Sequence, residues 1–197
     1  MPTIVTDLPA QVVPPRKRWT RSEYEELSSI LLDGQWLELI DGELIDKMGK
    51  KRPHVNSLAL LHGWLIGVFG VRSVNQKTPI DVAPEDNPSN QPEPDLIVLK
   101  RDLSHFIKED PQPDDLHLAV EVADSTLGLD LCAKAALYAR AGIVEYWVLD
   151  VAGRRMIVHR DPQHGTYASV VAYGAEESVA PLAAPDSRLR VKDAFPE

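Results

Sequence analysis

The sequence predicts a mixed α/β (α+β) fold: a central mixed β-sheet flanked by helices, with an N-terminal β-hairpin and a C-terminal meander of strands. Helical and strand-like segments alternate along the chain, a tight turn joins two apolar arms near residue 41, and the last third consists of short strands. The 197 residues are enough for one domain with a sizeable core. We expect a single domain over residues 19–197, preceded by a flexible arm over residues 1–18.

Composition excludes several classes of protein. Hydrophobic residues make up 44% and charged residues 26%, as in ordinary globular domains, and no apolar stretch reaches the length of a membrane span. The net charge of −9 argues against a protein that holds nucleic acid by broad electrostatic attraction, but not against local phosphate contacts aided by a metal. The single cysteine, Cys132, excludes an internal disulfide, and no secretory signal begins the sequence, so we expect a cytoplasmic location.

A short helix is predicted first, over "TRSEYEELSSILLDG". Thr20 or Ser22 is suited to the N-cap, acidic residues occupy the first turn, and Gly34 follows the last apolar residue. The N-cap candidates and the acidic residues mark the start of the helix, and Gly34 marks its end.

A β-hairpin follows in "WLELIDGELIDKM". Its Asp41-Gly42 pair between two apolar arms is the strongest short-range signal for a two-residue turn. Such a turn places Ile40 opposite Glu43, and therefore places Glu38 and Glu43 on the same side of the hairpin.

The middle of the chain predicts a long helix and then two strands. Residues 54–69 are almost entirely apolar at helical length, and residues 73–83 have the pattern of a strand. A proline-containing loop then leads to a second apolar strand, "DLIVLK", which opens on Asp95.

The remaining elements are a buried strand, a helix and further strands. Residues 116–123, "LHLAVEVA", form the strand, and residues 129–142 form a helix that ends at Gly142. Another apolar strand follows over residues 143–150. Strands "RRMIVHR" and "TYASVVAYG" complete the meander, with turns expected at "DVAG" and "DPQHG".

The strand "LHLAVEVA" contains a carboxylate, Glu121, among apolar residues. An ionised carboxylate is costly to bury unless it is paired or bound to a metal. Asp95 opens what we expect to be a neighbouring strand, so the two side chains would reach one cation. Two carboxylates, a backbone carbonyl near Val122 and several waters suit Mg²⁺, whereas zinc would prefer histidine or cysteine ligands.

Lys134 interrupts the apolar face that Leu131, Ala135 and Tyr138 define on the following helix. An ammonium in that position would fix the carboxylates, orient an attacking water and offset charge on a phosphorane-like transition state. Two alternatives remain open: a buried Glu121–Lys134 ion pair without a catalytic role, and a surface Asp130–Lys134 pair. The surface pair requires an exposed helix, which the apolar neighbours disfavour.

Several polar residues are candidates for contact with substrate. Lys47, Lys50, Lys51 and Arg52 form a basic cluster just before His54, and Gln76 lies on the next strand. Lys51 and Arg52 would contact phosphate, His54 would contact a phosphate or the metal site, and Gln76 would donate a hydrogen bond near the site. The alternatives are a solvated loop, a helix-start histidine and an ordinary strand amide.

The order of these motifs resembles the PD-(D/E)XK nuclease superfamily, in its restriction endonuclease branch. The resemblance covers about residues 24–150, and its most specific part is the "VEV" strand followed by a D-x-x-x-K-x-x-x-Y helix. It implies a restriction-endonuclease-like core, Mg²⁺-dependent hydrolysis of DNA phosphodiester bonds with Mn²⁺ as a substitute, and a homodimer.

The resemblance also implies roles for individual residues. Asp95 and Glu121 would bind the metal, Glu43 would be the acid from the N-terminal part, and Lys134 would be the lysine. In the standard signature the lysine lies two residues after the glutamate, where this chain has Ala123. Lys134 on the following helix would therefore replace it.

Three functions follow as hypotheses. The first is a Mg²⁺-dependent DNA endonuclease whose catalytic residues are Glu43, Asp95, Glu121 and Lys134. The second is a protein of the same fold that has lost cleavage and acts as a binding or assembly module. The third is an enzyme that hydrolyses a phosphodiester other than nucleic acid.

Overall fold

The computed structural model of the protein describes residues 15–30, 37–46 and 51–196. Some sequence-based predictions lie outside these residues: most of the N-terminal arm, the end of the first helix at Gly34, and Lys47 and Lys50 of the basic cluster. Within the described residues, a six-stranded mixed sheet forms the centre, as predicted.

The first helix, α1, spans Arg21–Ile30 and begins with a capping box. The Thr20 hydroxyl accepts a hydrogen bond from the backbone N–H of Glu23 at 3.3 Å, and the Glu23 carboxylate accepts one from the backbone N–H of Thr20 at 2.9 Å. The N-cap is therefore Thr20 rather than Ser22. Just before the helix, the backbone N–H of Trp19 donates to Gly42 O at 2.8 Å, which holds this segment against the hairpin turn.

The hairpin consists of β1 (Leu37–Ile40) and β2 (Glu43–Asp46). Asp41 and Gly42 have φ angles of +47° and +73°, the left-handed conformation that a type I′ turn requires at both positions. Ile40 pairs with Glu43, and the register predicted from the two-residue turn is confirmed.

The long helix α2 spans Arg52–Phe69, and three strands follow it: β3 (Val74–Gln76), β4 (Leu96–Leu99) and β5 (Leu116–Ala123). The strand predicted over residues 73–83 is much shorter than expected. Lys77 adopts a φ of +50°, a left-handed conformation that is incompatible with a continuing strand.

The helix after β5 has three continuous parts: α3 (Leu127–Leu129), a π-helical turn (Asp130–Lys134) and α4 (Ala135–Arg140). It carries the chain to β6 (Glu145–Asp150), which lies parallel to β5. A parallel pair needs such a crossover, because its second strand must start at the same end as the first.

Two long antiparallel strands complete the sheet, β7 (Arg155–Gln163) and β8 (Thr166–Gly174). The order of strands is β3-β4-β5-β6-β7-β8. β7 runs through most of the predicted "DPQHG" turn, so the chain reverses only at His164 and Gly165, both of which have positive φ. A separate two-stranded sheet of β9 (Ser178–Val179) and β10 (Leu189–Arg190) lies near the end of the chain.

The sheet is buried on both faces. α2 packs on one face through Leu58, Leu61 and Leu65. The hairpin and α4 pack on the other face, where Ile40 and Leu137 contact the alternate strand residues. Within the described ranges, no helix combines the length and the apolar character needed to cross a membrane.

Candidate active site

The two predicted metal ligands lie opposite each other across neighbouring strands. β4 and β5 are antiparallel with Leu96 opposite Val120, so this register places Asp95 opposite Glu121. The Asp95 Oδ2 atom also accepts a hydrogen bond from the backbone N–H of Val122 at 3.0 Å. Asp95 and Glu121 are both buried, so the strand pairing places two carboxylates side by side in the core.

Lys134 extends from the helix to this pair of strands. Its Nζ atom lies 2.8 Å from the Oε1 atom of Glu121 and 2.8 Å from the Oε1 atom of Glu38. The side chain is 2% exposed. The Asp130 carboxylate lies 3.9 Å away on the same turn, and its burial contradicts the alternative of a surface ion pair.

Hydrogen bonds from neighbouring elements fix the carboxylates around Lys134. The Tyr138 hydroxyl donates to the Oε1 atom of Glu121 at 3.3 Å, and the Thr126 hydroxyl donates to the Oδ2 atom of Asp130 at 2.6 Å. The Tyr146 hydroxyl donates to the backbone oxygen of Asp130 at 3.1 Å and so supports the π-helical turn from β6. Turns of this kind inside helices are frequent at functional sites.

Burial dominates the electrostatics of the cluster. It raises the pKa of Glu121 to about 8 and that of Asp130 to about 6. Burial lowers the pKa of Lys134, but the carboxylates of Glu121 and Glu38 more than offset this and hold that pKa well above its ordinary value. Lys134 is thus cationic, and one ammonium is shared among more carboxyl groups than it can neutralise.

The donor chemistry of the cluster fits a hard divalent cation. Within residues 15–30, 37–46 and 51–196, no three histidine, cysteine or carboxylate side chains are grouped to hold a metal by themselves. Mg²⁺ does not require such a group, because it is commonly bound by one or two carboxylates, with waters and substrate oxygens completing its coordination. Asp95 and Glu121 supply two carboxylates, and a cation bound between them would favour the ionised form of Glu121, which burial disfavours.

The predicted substrate residues have different positions. The Nε2 atom of His54 lies 3.8 Å from the Oδ2 atom of Asp95 in a buried contact, so this histidine adjoins the carboxylates. Lys51 is exposed, and its Nζ atom lies 4.0 Å from the Oδ2 atom of Asp124, just beyond β5. Arg52 is also exposed, at the start of α2. Both basic residues therefore lie near the end of β5 that carries Glu121.

Gln76 does not share a face with the cluster. It pairs with Leu96, whose side chain belongs to the core under α2. Directly paired residues project to the same face of a sheet, so Gln76 projects to the α2 face. Glu121, which is adjacent to Val120 of that same core, projects to the opposite face.

The hairpin contributes a carboxylate to the cluster, but the carboxylate belongs to Glu38 and not to Glu43. The side chain of Glu43, the residue predicted for this role, is 48% exposed and forms an ion pair with Arg18 at 3.1 Å. Glu38 is buried against Lys134, and the backbone N–H of Glu93 donates to its Oε2 atom at 3.3 Å. Glu38 could have been found by the same signal that identified Glu121, because it too is a glutamate among apolar strand residues.

Comparison with known proteins identifies the family. The family model described as "Uma2: Putative restriction endonuclease" matches residues 21–192 of the chain. The chain belongs to the Uma2 family. The predicted resemblance to the restriction endonuclease branch is thereby confirmed, and membership of Uma2 supports a nuclease-like function. A search of curated proteins gives no match.

A solved structure shares the fold of this Uma2 protein. The structure is a "putative nuclease belonging to DUF820" from Anabaena variabilis ATCC 29413, with a TM-score of 0.64 and 15% sequence identity. The match covers 87% of this chain and 96% of that chain. At this identity the likeness concerns the fold, and it confirms the predicted nuclease-like architecture.

Proposed function

We propose that the protein is a metal-dependent endonuclease that hydrolyses phosphodiester bonds of DNA, with Mg²⁺ or Mn²⁺ held by Asp95 and Glu121. The observation that carries the proposal is the contact between Lys134 and Glu121, because it places a lysine beside the carboxylate pair although the strand has Ala123 at the usual lysine position. Membership of the Uma2 family supports the same chemistry.

The bound metal would supply positive charge to a phosphate oxygen and lower the pKa of a coordinated water. Asp95 and Glu121 would hold it, and their orientation is maintained by the Val122 N–H and the Tyr138 hydroxyl. Lys134 would donate a hydrogen bond to the attacking water or to a phosphate oxygen, and thereby stabilise the negative charge that develops in the transition state.

In this proposal Glu38, and not Glu43, is the acidic residue that the N-terminal part of the chain contributes to the site. Glu38 contacts Lys134 directly, so it acts as a positioning residue that keeps the ammonium charged and correctly placed. Glu43 is directed toward Arg18 and would affect cleavage little.

DNA would approach the cluster from the side where α2 begins. Lys51 and Arg52 are exposed there and would contact phosphates. The chain as a whole carries a net charge of −9, so binding would depend on these local contacts and on the metal. Few phosphate contacts imply a shallow dependence of affinity on salt.

One observation favours the second function, a binding or assembly module without cleavage. Lys134, Asp95 and Glu121 are at most 5% exposed, so the ion cluster is closed and is itself consistent with a purely structural role. In that case the cluster would bind neither metal nor phosphate.

Nicking of supercoiled plasmid distinguishes these functions. With Mn²⁺ or Mg²⁺ we expect the wild-type protein to nick, Glu121→Gln and Lys134→Met to lose about a hundredfold or more of the rate, and Glu43→Gln to keep it. Calorimetric titration with Mn²⁺ should show binding that Glu121→Gln abolishes.

Each contrary outcome points to one alternative. Absence of both nicking and metal binding in the wild-type protein would establish the inactive module. Metal binding without nicking, but with hydrolysis of bis(4-nitrophenyl) phosphate, would indicate a phosphodiester substrate other than DNA. Equal nicking rates for wild type and Lys134→Met would remove Lys134 from the mechanism.

A further inference from the structure

The last strand of the central sheet, β8, has one hydrogen-bonding edge without a partner strand in the described part of the chain. β8 spans Thr166–Gly174 and pairs with β7 along its whole length. Thr166 lies opposite Gln163 at one end, and Gly174 lies opposite Arg155 at the other. It is the terminal strand of the order β3-β4-β5-β6-β7-β8. Its outer edge therefore presents alternate backbone N–H and C=O groups along nine residues.

β8 lacks the features by which proteins usually protect such an edge. Its sequence, "TYASVVAYG", contains neither a charged residue nor a proline. The opposite edge of the sheet differs, because β3 has only three residues and ends at the left-handed Lys77. One edge of the sheet is thus short and interrupted, and the other is long and uncharged.

Two adjacent valines at the middle of β8 are exposed, Val170 by 54% and Val171 by 44%. Val170 pairs with His159 and Val171 pairs with Val158, so the two valines project to opposite faces of the sheet. Apolar surface is therefore exposed on both sides of the same open edge.

We propose that β8 is a self-association edge, at which it pairs antiparallel with β8 of a second copy and joins two six-stranded sheets across a twofold axis. An antiparallel pair of identical strands is self-complementary, because residue i of one copy faces residue j of the other and residue j of the first copy faces residue i of the second. The proposal rests on the strand itself and does not depend on the nuclease activity.

The charge distribution allows a second copy to approach at β8. A chain with a net charge of −9 repels itself when two copies approach through most of its surface. β8 contributes no charge to that repulsion, and no like charges would face each other across the axis. The exposed valines would be covered near the axis if the pairing is centred on the middle of the strand.

The proposed interface is remote from the carboxylate cluster. β5, which carries Glu121, lies three strands from β8, a separation of about 14 Å at the usual spacing between strands. Substitutions on the outer edge of β8 therefore leave the contacts of Glu121 and Lys134 in place, and oligomeric state can be tested separately from activity.

Sedimentation velocity of the full chain over a wide range of concentration tests the proposal. We expect a dimer for the wild-type protein and a shift to monomer for Val170→Lys and for Val171→Lys, because like charges would then meet at the interface. Val71→Lys is the matched control: Val71 is 63% exposed and precedes β3, near the opposite edge, so this variant should remain dimeric. Unchanged unfolding midpoints would confirm that the variants are folded.

Disulfide trapping tests the antiparallel arrangement. In a Cys132→Ser background, single cysteines at positions 169–172 should form intermolecular disulfides only near the twofold axis, whereas Val71→Cys should form none. Amide hydrogen exchange should show β8 protected in a concentration-dependent way.

Other results would overturn the proposal. They include a wild-type monomer at every concentration, a dimer that persists in both lysine variants, and a monomer whose β8 amides are protected by another segment of its own chain. Capture of a different protein along β8 by a monomeric chain would overturn it as well.

Discussion

Lys134 Nζ lies 2.8 Å from Oε1 of Glu121, although the lysine belongs to the π-helical turn and the glutamate to the middle of the sheet. The two residues are 13 positions apart in the sequence. The signature lysine would lie on the same strand as the glutamate, where this chain has Ala123, a buried residue of the core beneath the helix. Lys134 on the helix thus supplies the positive charge that Ala123 on β5 cannot supply.

Replacement of Lys134 by methionine should destabilise the protein strongly. The substitution leaves Glu121, Glu38 and Asp130 buried without their shared cation, and removal of one partner of a buried ion pair costs about 3 to 5 kcal/mol of unfolding free energy. Urea unfolding at neutral pH measures this loss. The double variant Glu121→Gln/Lys134→Met should recover part of it, because one buried carboxylate is removed together with the ammonium. A loss below about 1 kcal/mol in the single variant would contradict the shared-cation arrangement.

Asp95→Asn should separate metal binding from folding. The asparagine side-chain oxygen can still accept the hydrogen bond of the Val122 N–H, so we expect unfolding free energy within about 1 kcal/mol of wild type. Loss of the carboxylate charge should abolish Mn²⁺ binding in calorimetry. Asp95→Ala, which removes both the charge and the acceptor, should lose stability as well. Unchanged Mn²⁺ affinity in Asp95→Asn would exclude Asp95 as a ligand.

The two hairpin glutamates form a matched pair for mutation. Glu38→Gln weakens a buried contact to Lys134 and should cost about 1 to 3 kcal/mol and slow plasmid nicking. Glu43→Gln affects an exposed ion pair with Arg18 and should change stability by less than about 1 kcal/mol, without an effect on nicking. Unfolding in urea and the nicking assay measure the two effects side by side. The reverse ranking would restore Glu43 as the acid of the site.

His159 should make the free energy of unfolding decrease in mild acid. Burial lowers its pKa below the ordinary value of 6.5, so the unfolded chain binds a proton more readily than the folded one. The stabilising contribution of this group is fully present above pH 6.5 and is lost as the pH falls through the folded pKa, with a slope of at most about 1.4 kcal/mol per pH unit. His159→Phe, which keeps a ring between Tyr146 and Tyr167, should flatten the stability profile between pH 5 and pH 7.

The control for this prediction is the exposed His164, whose replacement by asparagine should leave the profile unchanged. Asparagine tolerates the φ of +51° at this turn position. Parallel profiles for wild type and His159→Phe would show that His159 does not titrate on unfolding.

Local chemistry made several elements predictable. The Asp41-Gly42 pair requires a turn with positive φ at both positions, and that turn fixes the register of the hairpin. Glu121 lies inside a strand that is apolar on both sides of it in the sequence, which indicates a buried charge that needs a partner. The same argument identified Lys134 on the apolar face of its helix. These features depend on neighbours within a few residues, so the sequence was sufficient to find them.

The tertiary structure decided how these elements meet. Alternation placed Glu38 and Glu43 on one side of the hairpin, but only the packing of the hairpin on the sheet shows that Glu38 reaches Lys134 and Glu43 faces Arg18. The lateral pairing of β3 decided that Gln76 faces α2. By itself, the sequence determined that Glu121 and Lys134 are buried charges that need partners. Their partners depend on the angles and offsets between elements distant in the chain, which local periodicity does not encode.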